Sequence, residues 1–406
     1  MSAGEVSLRA KLRAASRRKQ LTALMLLAPA LVLMLLAFVW PIGSLLTNAV
    51  HAPEFRQATP HLSAWLDAWD GKALPGEEAF ALLVRDFRAA YADKTLPRAS
   101  TRLNYEESGL RSLAMKTGRR AKRLEAPYKD AVIAIDPDWG KLETWRSLKA
   151  ASARLTDRFV LQAVDLEHDF DAGIRSVPPE KQVYIDRLEV TFWIAIVVTL
   201  LCAGIGYPMA YVMAMAGKRT GRLLFILVLL PFWISLLVRT AAWVVLLQKE
   251  GIINGALLAL GLVDAPQQLI FNRIGVYVAM VHILLPFLIL PLYSVMKSIP
   301  RDHVRAAASL GAPPLSAFLT VYFPQTIPGL GAGCLLVFVL SIGFYVTPAL
   351  VGGSADQMLS ALIAQSALGT ANWGLASALA LVLLCCVAVI YPIFGRYAGA
   401  KNLRLG

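Results

Sequence analysis

Apolar residues gather in six long runs, at residues 21–46, 190–216, 223–247, 275–296, 327–350 and 375–394, and polar stretches separate them. Each run is long enough for a helix to cross a bilayer core, which takes about 20 largely apolar residues. The pattern therefore predicts a protein with six transmembrane helices. The long polar stretch at 47–189 is the one part that can fold in water. Within it Phe80, Leu83, Val84, Phe87 and Tyr91 recur at helical spacing, which predicts an amphipathic helix with one apolar face. Turn-forming residues at 71–76 and 96–97 bracket that helix. A second amphipathic stretch is expected at 142–166, after Asp136-Pro137-Asp138. The insertion is thus expected to be a small helical cap on the outer ends of the membrane helices.

Charge gives the chain a direction. The formal net charge is +13, yet residues 51–189 balance at 22 basic against 22 acidic side chains. The excess lies at the ends of the apolar runs. Arg9, Lys11, Arg13, Arg17, Arg18 and Lys19 precede the first run, and Lys218, Arg219 and Arg222 follow the second. Lys297, Arg301 and Arg305 follow the fourth, and Arg396, Lys401 and Arg404 close the chain. Basic residues mark cytoplasmic loops, so both termini and the loop 297–325 are expected inside and the insertion outside. The boundaries that follow are a tail at 1–20, a first span at 21–46, an exported insertion at 47–189, a five-helix core at 190–396 and a tail at 397–406. The first apolar run exceeds the length of a cleavable signal, so an uncleaved anchor is expected. No basic face with interleaved aromatics suggests nucleic acid.

Little in the chain suggests catalysis. Cys202, Cys334, Cys385 and Cys386 all fall in apolar runs, with neither metal spacing nor a framework for exported disulfides. The carboxylates Asp136, Asp138, Asp165, Glu167, Asp169 and Asp171 read as solvated surface charge, with a cation site as the weaker alternative. None of the six runs contains Asp or Glu, which an ion-coupled carrier would normally use. No Gly-rich phosphate loop with Lys-Ser/Thr is found, so any ATP must be hydrolysed by another chain.

The most distinctive stretch is Arg305-Ala306-Ala307-Ala308-Ser309-Leu310-Gly311-Ala312, followed by Pro313, Pro314, Phe318, Val321, Pro324, Pro328 and Gly329. Small residues allow close helix contact, Gly311 can end a helix in the left-handed region, and the two prolines prevent its continuation. This pattern resembles the coupling-loop motif of ATP-binding-cassette (ABC) importer permeases of the binding-protein-dependent kind. Arg305 departs from it, since the family usually has Glu there. The runs from Pro231 to Trp243, Leu285 to Tyr293, Phe344 to Gly353 and Asn372 to Ala378 narrow the resemblance to the spermidine/putrescine permease subfamily, to its member with a long first span. The resemblance does not extend to the insertion.

The resemblance implies an all-α integral membrane protein with a type I ABC importer permease core. It implies a subunit of a bacterial inner-membrane transporter that moves a small organic solute by alternating access. The solute would be a polyamine, with opines, aminophosphonates and amino acids as alternatives. The implied partners are a second, different permease subunit, two cytoplasmic ATPase subunits carrying ATP and magnesium, a periplasmic solute-binding protein and membrane lipid. No cofactor is implied in this chain. Arg305, Ala306, Ala307, Leu310, Gly311, Ala312, Pro324, Pro328 and Gly329 are the implied coupling residues. Trp233, Trp243, Tyr293, Phe344, Tyr345 and Trp373 offer aromatic faces to an organic cation, although an interfacial aromatic belt and packing explain them better. Thr347 and Arg239 join them as pathway candidates. On one straight helix, Arg239 would lie roughly 25 Å beyond Arg222, near the outer mouth. Two other classes stay open at this point: an ion-coupled carrier, and a membrane-anchored scaffold whose working part is the insertion.

Overall fold

A computed structural model describes residues 22–169 and 173–397. The basic tail assigned to 1–20, Asp171 and nearly all of the tail at 397–406 lie outside the described residues. The chain divides into two compact units between Asp157 and Arg158.

The first unit opens with helix α1 (Thr22–Asn48), whose apolar side chains are exposed along its length, as in Leu26 at 78%. Its length suits a bilayer crossing, and lipid is the medium in which such a surface is stable. Seven helices follow: α2 (Glu54–Ala58), α3 (Pro60–Ala68), α4 (Glu77–Ala92), α5 (Leu96–Glu106), α6 (Leu110–Arg120), α7 (Tyr128–Ile135) and α8 (Leu142–Ser152). They enclose a core of the kind found in water-soluble proteins. Phe80 meets Trp145 edge to face at 4.7 Å, and Trp139 meets Phe87 and Trp145 at 6.0 Å each. Both indole N–H groups are satisfied, Trp139 donating to Thr117 Oγ1 at 2.8 Å and Trp145 to the Trp139 carbonyl at 3.0 Å. The predicted face of α4 is buried at Phe80, Leu83, Val84 and Phe87, while Tyr91 sits at its margin, 36% exposed. The chain closes on itself where it leaves this unit. Thr156 N–H donates to the Val50 carbonyl at 2.8 Å, and His51 Nδ1 lies 3.0 Å from the Arg154 carbonyl.

The second unit begins at Arg158, inside the stretch 47–189 that the sequence reads as one insertion. The amphipathic run expected at 142–166 ends at Ser152, and α9 (Arg158–Gln162) starts anew. Two antiparallel strands, β1 (Leu166–Asp169) and β2 (Gly173–Ser176), follow with Leu166 opposite Ser176, so this part is not purely helical. Phe159 is buried, and its ring occupies the space a Cβ at Gly374 would need. Residues 158–183 therefore belong with the membrane helices in packing, whatever their polar composition suggests.

The helices that follow are α10 (Tyr184–Met215), α11 (Lys218–Leu229), α12 (Leu236–Leu247), α13 (Ile252–Ala259), α14 (Arg273–Ser298), α15 (Arg301–Ser309), α16 (Pro314–Gly343), α17 (Val346–Val351), α18 (Leu359–Gly369) and α19 (Trp373–Tyr397). Asp165 accepts the Val183 and Ile185 N–H groups at 3.1 and 2.7 Å, which starts α10. At the centre α10, α14 and α16 pack closely because glycine lets them. A Cβ at Gly206 would lie 2.7 Å from Leu288 Cδ2, and one at Gly333 only 2.8 Å from the Leu288 carbonyl oxygen. Small residues at such crossings let membrane helices gain dispersion contact without a hydrophobic driving force.

Two predicted spans are not single straight helices. The run 223–247 is bent by 97° between its two halves. Pro231 begins a short 3-10 turn at Leu230–Trp233, and Ile234 and Ser235 are extended. The predicted 25 Å path from Arg222 to Arg239 assumed a straight helix, and the bend removes it. The run 327–350 begins earlier, at Pro314, and breaks at Phe344 and Tyr345. Pro324 is accommodated early in this helix by a π turn at Phe318–Tyr322, which shifts the hydrogen-bond ladder ahead of the missing N–H. Among the described residues five to six helices are long and apolar enough to span, depending on whether the bent pair counts as one.

Candidate functional site

Helix α15 stands out as a compact knob. None of its residues is buried, and it ends in a Schellman arrangement. Ala312 N–H donates to the Ala307 carbonyl at 3.1 Å and Gly311 N–H to the Ala308 carbonyl at 3.0 Å. Gly311 has φ +87°, in the left-handed region its sequence context suggested. The tip presents apolar side chains to the outside, with Leu310 90% exposed and Leu315 69%.

The knob is fastened at two points to membrane helices. The Arg301 guanidinium donates to the Met215 carbonyl at the end of α10, 3.3 Å away. His303 Nδ1 lies 2.9 Å from Gln325 Oε1 on α16, the imidazole N–H donating. Val304 packs against the central helix core. A push on this knob therefore reaches α10, α14 and α16 by direct contact. Arg305 makes a 3.4 Å pair with Asp302 in which both partners are mostly exposed, so the pair adds little stability.

The nine coupling candidates divide physically. Arg305, Ala306, Ala307, Leu310, Gly311 and Ala312 form the knob or its ending. Pro324, Pro328 and Gly329 lie within α16, and a Cβ at Gly329 would meet Val295 Cβ at 2.8 Å. The last three shape and pack a membrane helix. The protruding part of the predicted loop 297–325 is accordingly short, since α14 runs to Ser298 and α16 starts at Pro314.

The pathway candidates do not form one lining. Thr347, fully buried, shares a 3.0 Å hydroxyl bond with Thr240 on α12. One turn on, Trp243 Nε1 donates to His282 Nδ1 on α14 at 3.0 Å. These two bonds join α12, α14 and α17 just beyond the bend. Phe344 packs on the same core, and its carbonyl accepts from the Ser360 hydroxyl at 2.7 Å. Arg239, half-buried, is in the first turn of α12, with its backbone N–H donating to the Ser235 carbonyl. Tyr293 is three turns further along α14, where its hydroxyl accepts from Lys297 at 2.7 Å. Trp233, Tyr345 and Trp373 are exposed at 89%, 41% and 50%.

Two features escaped the sequence. The Trp243–His282 bond needs partners 39 positions apart, and no local spacing signals it. The loop before α18 is clamped by Arg273 to Asp356 at 2.8 Å and by Arg187 to the Ala355 carbonyl at 2.8 Å. The Gly352-Gly353 pair was its one visible trace, since a Cβ at Gly353 would lie 2.8 Å from the Phe271 carbonyl. Four of the six carboxylates open to a cation reading have other partners: Asp136 has Lys116, Asp138 has Lys141, Glu167 has Arg175, and Asp165 caps α10.

Comparison with known proteins places this arrangement. Residues 206–398 match the family described as binding-protein-dependent transport system inner membrane component. The chain is 30% identical over 223 residues to the spermidine/putrescine transport system permease protein PotB of Escherichia coli (strain K12), covering 55% of this chain and 81% of that one. It is 36% identical over 208 residues to PotB of Haemophilus influenzae, covering 51% and 72%. Among solved structures, a bacterial ABC transporter involved in the import of the acidic polysaccharide alginate aligns with a TM-score of 0.45 at 17% identity, covering 54% of this chain and 80% of that chain.

Proposed function

Because this chain belongs to the binding-protein-dependent transport system inner membrane components, the type I permeases of ABC importers, we propose that it admits a polyamine across the bacterial inner membrane. As in its family, ATP hydrolysis belongs to a separate subunit. The substrate reading rests on one observation, the 30–36% identity to spermidine/putrescine permeases over most of their length. The charge pattern supports a chain with both termini in the cytoplasm and the insertion in the periplasm. Its working partners in this reading are a different permease subunit, two ATPase subunits and a periplasmic binding protein that delivers the solute and sets specificity. The insertion contacts that binding protein.

In this mechanism the ATPase grips the exposed knob at Arg301–Ser309 and its tip at Leu310. ATP-driven closure moves the knob, and the Arg301–Met215 and His303–Gln325 contacts carry the displacement into α10 and α16. The bundle then opens outward to take the solute. The absence of Asp or Glu from the predicted spans fits a solute that is selected before it reaches the membrane.

Uptake of labelled putrescine and spermidine in cells making the whole importer tests both halves of the proposal. The native chain should support uptake, and Gly311→Asp should abolish it while the chain stays in the membrane at native level. Undiminished uptake in Gly311→Asp would sink the force-transfer role of the knob. Uptake of an aminophosphonate, an opine or an amino acid in place of both polyamines would replace the substrate.

A further inference from the structure

Beside the knob lies an open cavity of about 710 Å³, and of its lining the transport cycle described above uses only Arg301. Four cations line it from three different elements: Lys218 and Arg222 on α11, Lys297 at the end of α14, and Arg301 at the start of α15. None of its lining residues is acidic. Two of the cations are held in place. Lys297 donates to the Tyr293 hydroxyl at 2.7 Å and sits 5.2 Å from the centre of that ring, and Arg301 is fixed on the Met215 carbonyl. Phe225 and Tyr293 form an aromatic wall with ring centroids 5.9 Å apart.

Placing four like charges around one hollow is unfavourable unless an anion joins them. The general excess of basic residues in inner loops accounts for the sign of these charges, but not for their convergence from three elements on a single cavity. A second, shallower cavity of about 410 Å³ continues from the first. The two share Phe225, Tyr293 and Lys297, and the second adds Leu290, Ser294 and Ser298 along α14. A basic hollow thus opens onto a groove along a membrane helix, whose walls set the apolar faces of Phe225, Leu290 and Tyr293 beside Ser294 and Ser298. A free anion would use only the first part, whereas a phospholipid would use both.

We propose that this paired cavity holds an anionic phospholipid of the cytoplasmic leaflet, its phosphodiester among Lys218, Arg222, Lys297 and Arg301 and an acyl chain along Phe225 and Leu290. Basic pockets between membrane helices on the cytoplasmic side suit such headgroups. The lipid would brace the start of α15 against α11, and so stiffen the base of the knob. The inference rests on the membrane orientation proposed above and not on the identity of the solute.

The test uses the assembled importer, reconstituted in vesicles of phosphatidylglycerol mixed with phosphatidylcholine. After extraction, lipid retained on this chain is read by native mass spectrometry. The native chain should retain phosphatidylglycerol in preference to phosphatidylcholine. The double variant Lys218→Gln/Arg222→Gln should retain about 30-fold less, from roughly fivefold for each cation. Arg219→Gln removes a neighbouring charge that does not line the cavity and should behave as the native chain. Lys218→Arg/Arg222→Lys should restore retention, which separates loss of charge from failure to fold. Native-level retention in the double glutamine variant overturns the proposal. Displacement of phosphatidylglycerol by inorganic phosphate alone, without enrichment over phosphatidylcholine, would make the cavity a free-phosphate site and equally overturn it. Retention is scored without transport, so importers that keep the lipid but take up no polyamine would count only against the substrate.

Discussion

Two glycines show how differently the same residue can serve. Gly311 sits at φ +87° with open space where a Cβ would be, so its value is conformational. Gly333 has ordinary helical backbone, but a Cβ there would lie 2.8 Å from the Leu288 carbonyl and 3.2 Å from its Cα. Neither neighbour is a flexible side-chain end that could step aside. Gly333→Ala should therefore push α16 from α14 and lower the stability of the assembled importer by about 1–3 kcal/mol, seen as a reduced midpoint in thermal unfolding in detergent. Gly43→Ala, with nothing within 4 Å, is the matched control and should leave the midpoint unchanged. The sequence revealed Gly311 because alanines before it and prolines after it made a helix ending readable. It could not reveal Gly333, because glycine inside an apolar run has no neighbour in the sequence that identifies the helix it will meet.

Among the helices, hydropathy located the spans but not their breaks. Pro286 and Pro291 sit inside an unbroken α14, whereas Pro231 starts a 97° bend. The same residue type in similar apolar surroundings gave opposite outcomes. What holds the bend is tertiary, since past it α12 is tied by Thr240 to Thr347 and by Trp243 to His282. Trp243→Phe keeps the ring but leaves His282 Nδ1 without its donor. The change should weaken that junction by about 1–3 kcal/mol and lower uptake, while Trp233→Phe at an 89% exposed position should change uptake little. In the insertion, the Lys116 ammonium donates to Asp136 at 2.8 Å and the Asp138 N–H adds a second bond. Together they hold the Asp136 carboxyl below the usual carboxylate range. The sign follows from linkage. A depressed folded pKa stabilises fully above the unfolded value and loses that stabilisation as pH falls through the folded one. Fluorescence of the buried Trp139 and Trp145 should show unfolding that steepens below about pH 4, and Asp136→Asn should flatten that acid limb. An unchanged limb would remove Asp136 from the explanation.

For the whole molecule, the balanced charge of residues 51–189 sets a polar part of the sequence apart from the apolar runs, and the Phe80 face marks its central helix. The end of that part was not legible. Residues 158–183 are as polar as the rest, and what assigns them to the second unit is the burial of Phe159 against Gly374 and the Asp165 cap of α10. This decides how the insertion's role should be tested. A deletion running to residue 180 would also remove Phe159 and the Asp165 cap of α10, and its loss of uptake would say nothing about the insertion. Replacing residues 54–152 by a short linker spares both. If the insertion receives the binding protein, that importer should assemble at native level yet lose at least about tenfold in uptake, equivalent to about 1.4 kcal/mol. Full uptake would leave the insertion without a part in delivery.

The bond from Thr156 to the Val50 carbonyl has a bearing on how such a chain could arise. Splicing a folded body into a loop costs mainly closure entropy, which grows only slowly with loop length. A body whose two ends already meet asks still less of its host, because the host sees a gap no wider than an ordinary turn. The same neck makes the helical body portable. Moved between the corresponding positions of a polyamine permease that lacks it, it should fold as it does here, and a gain in docking would travel with it.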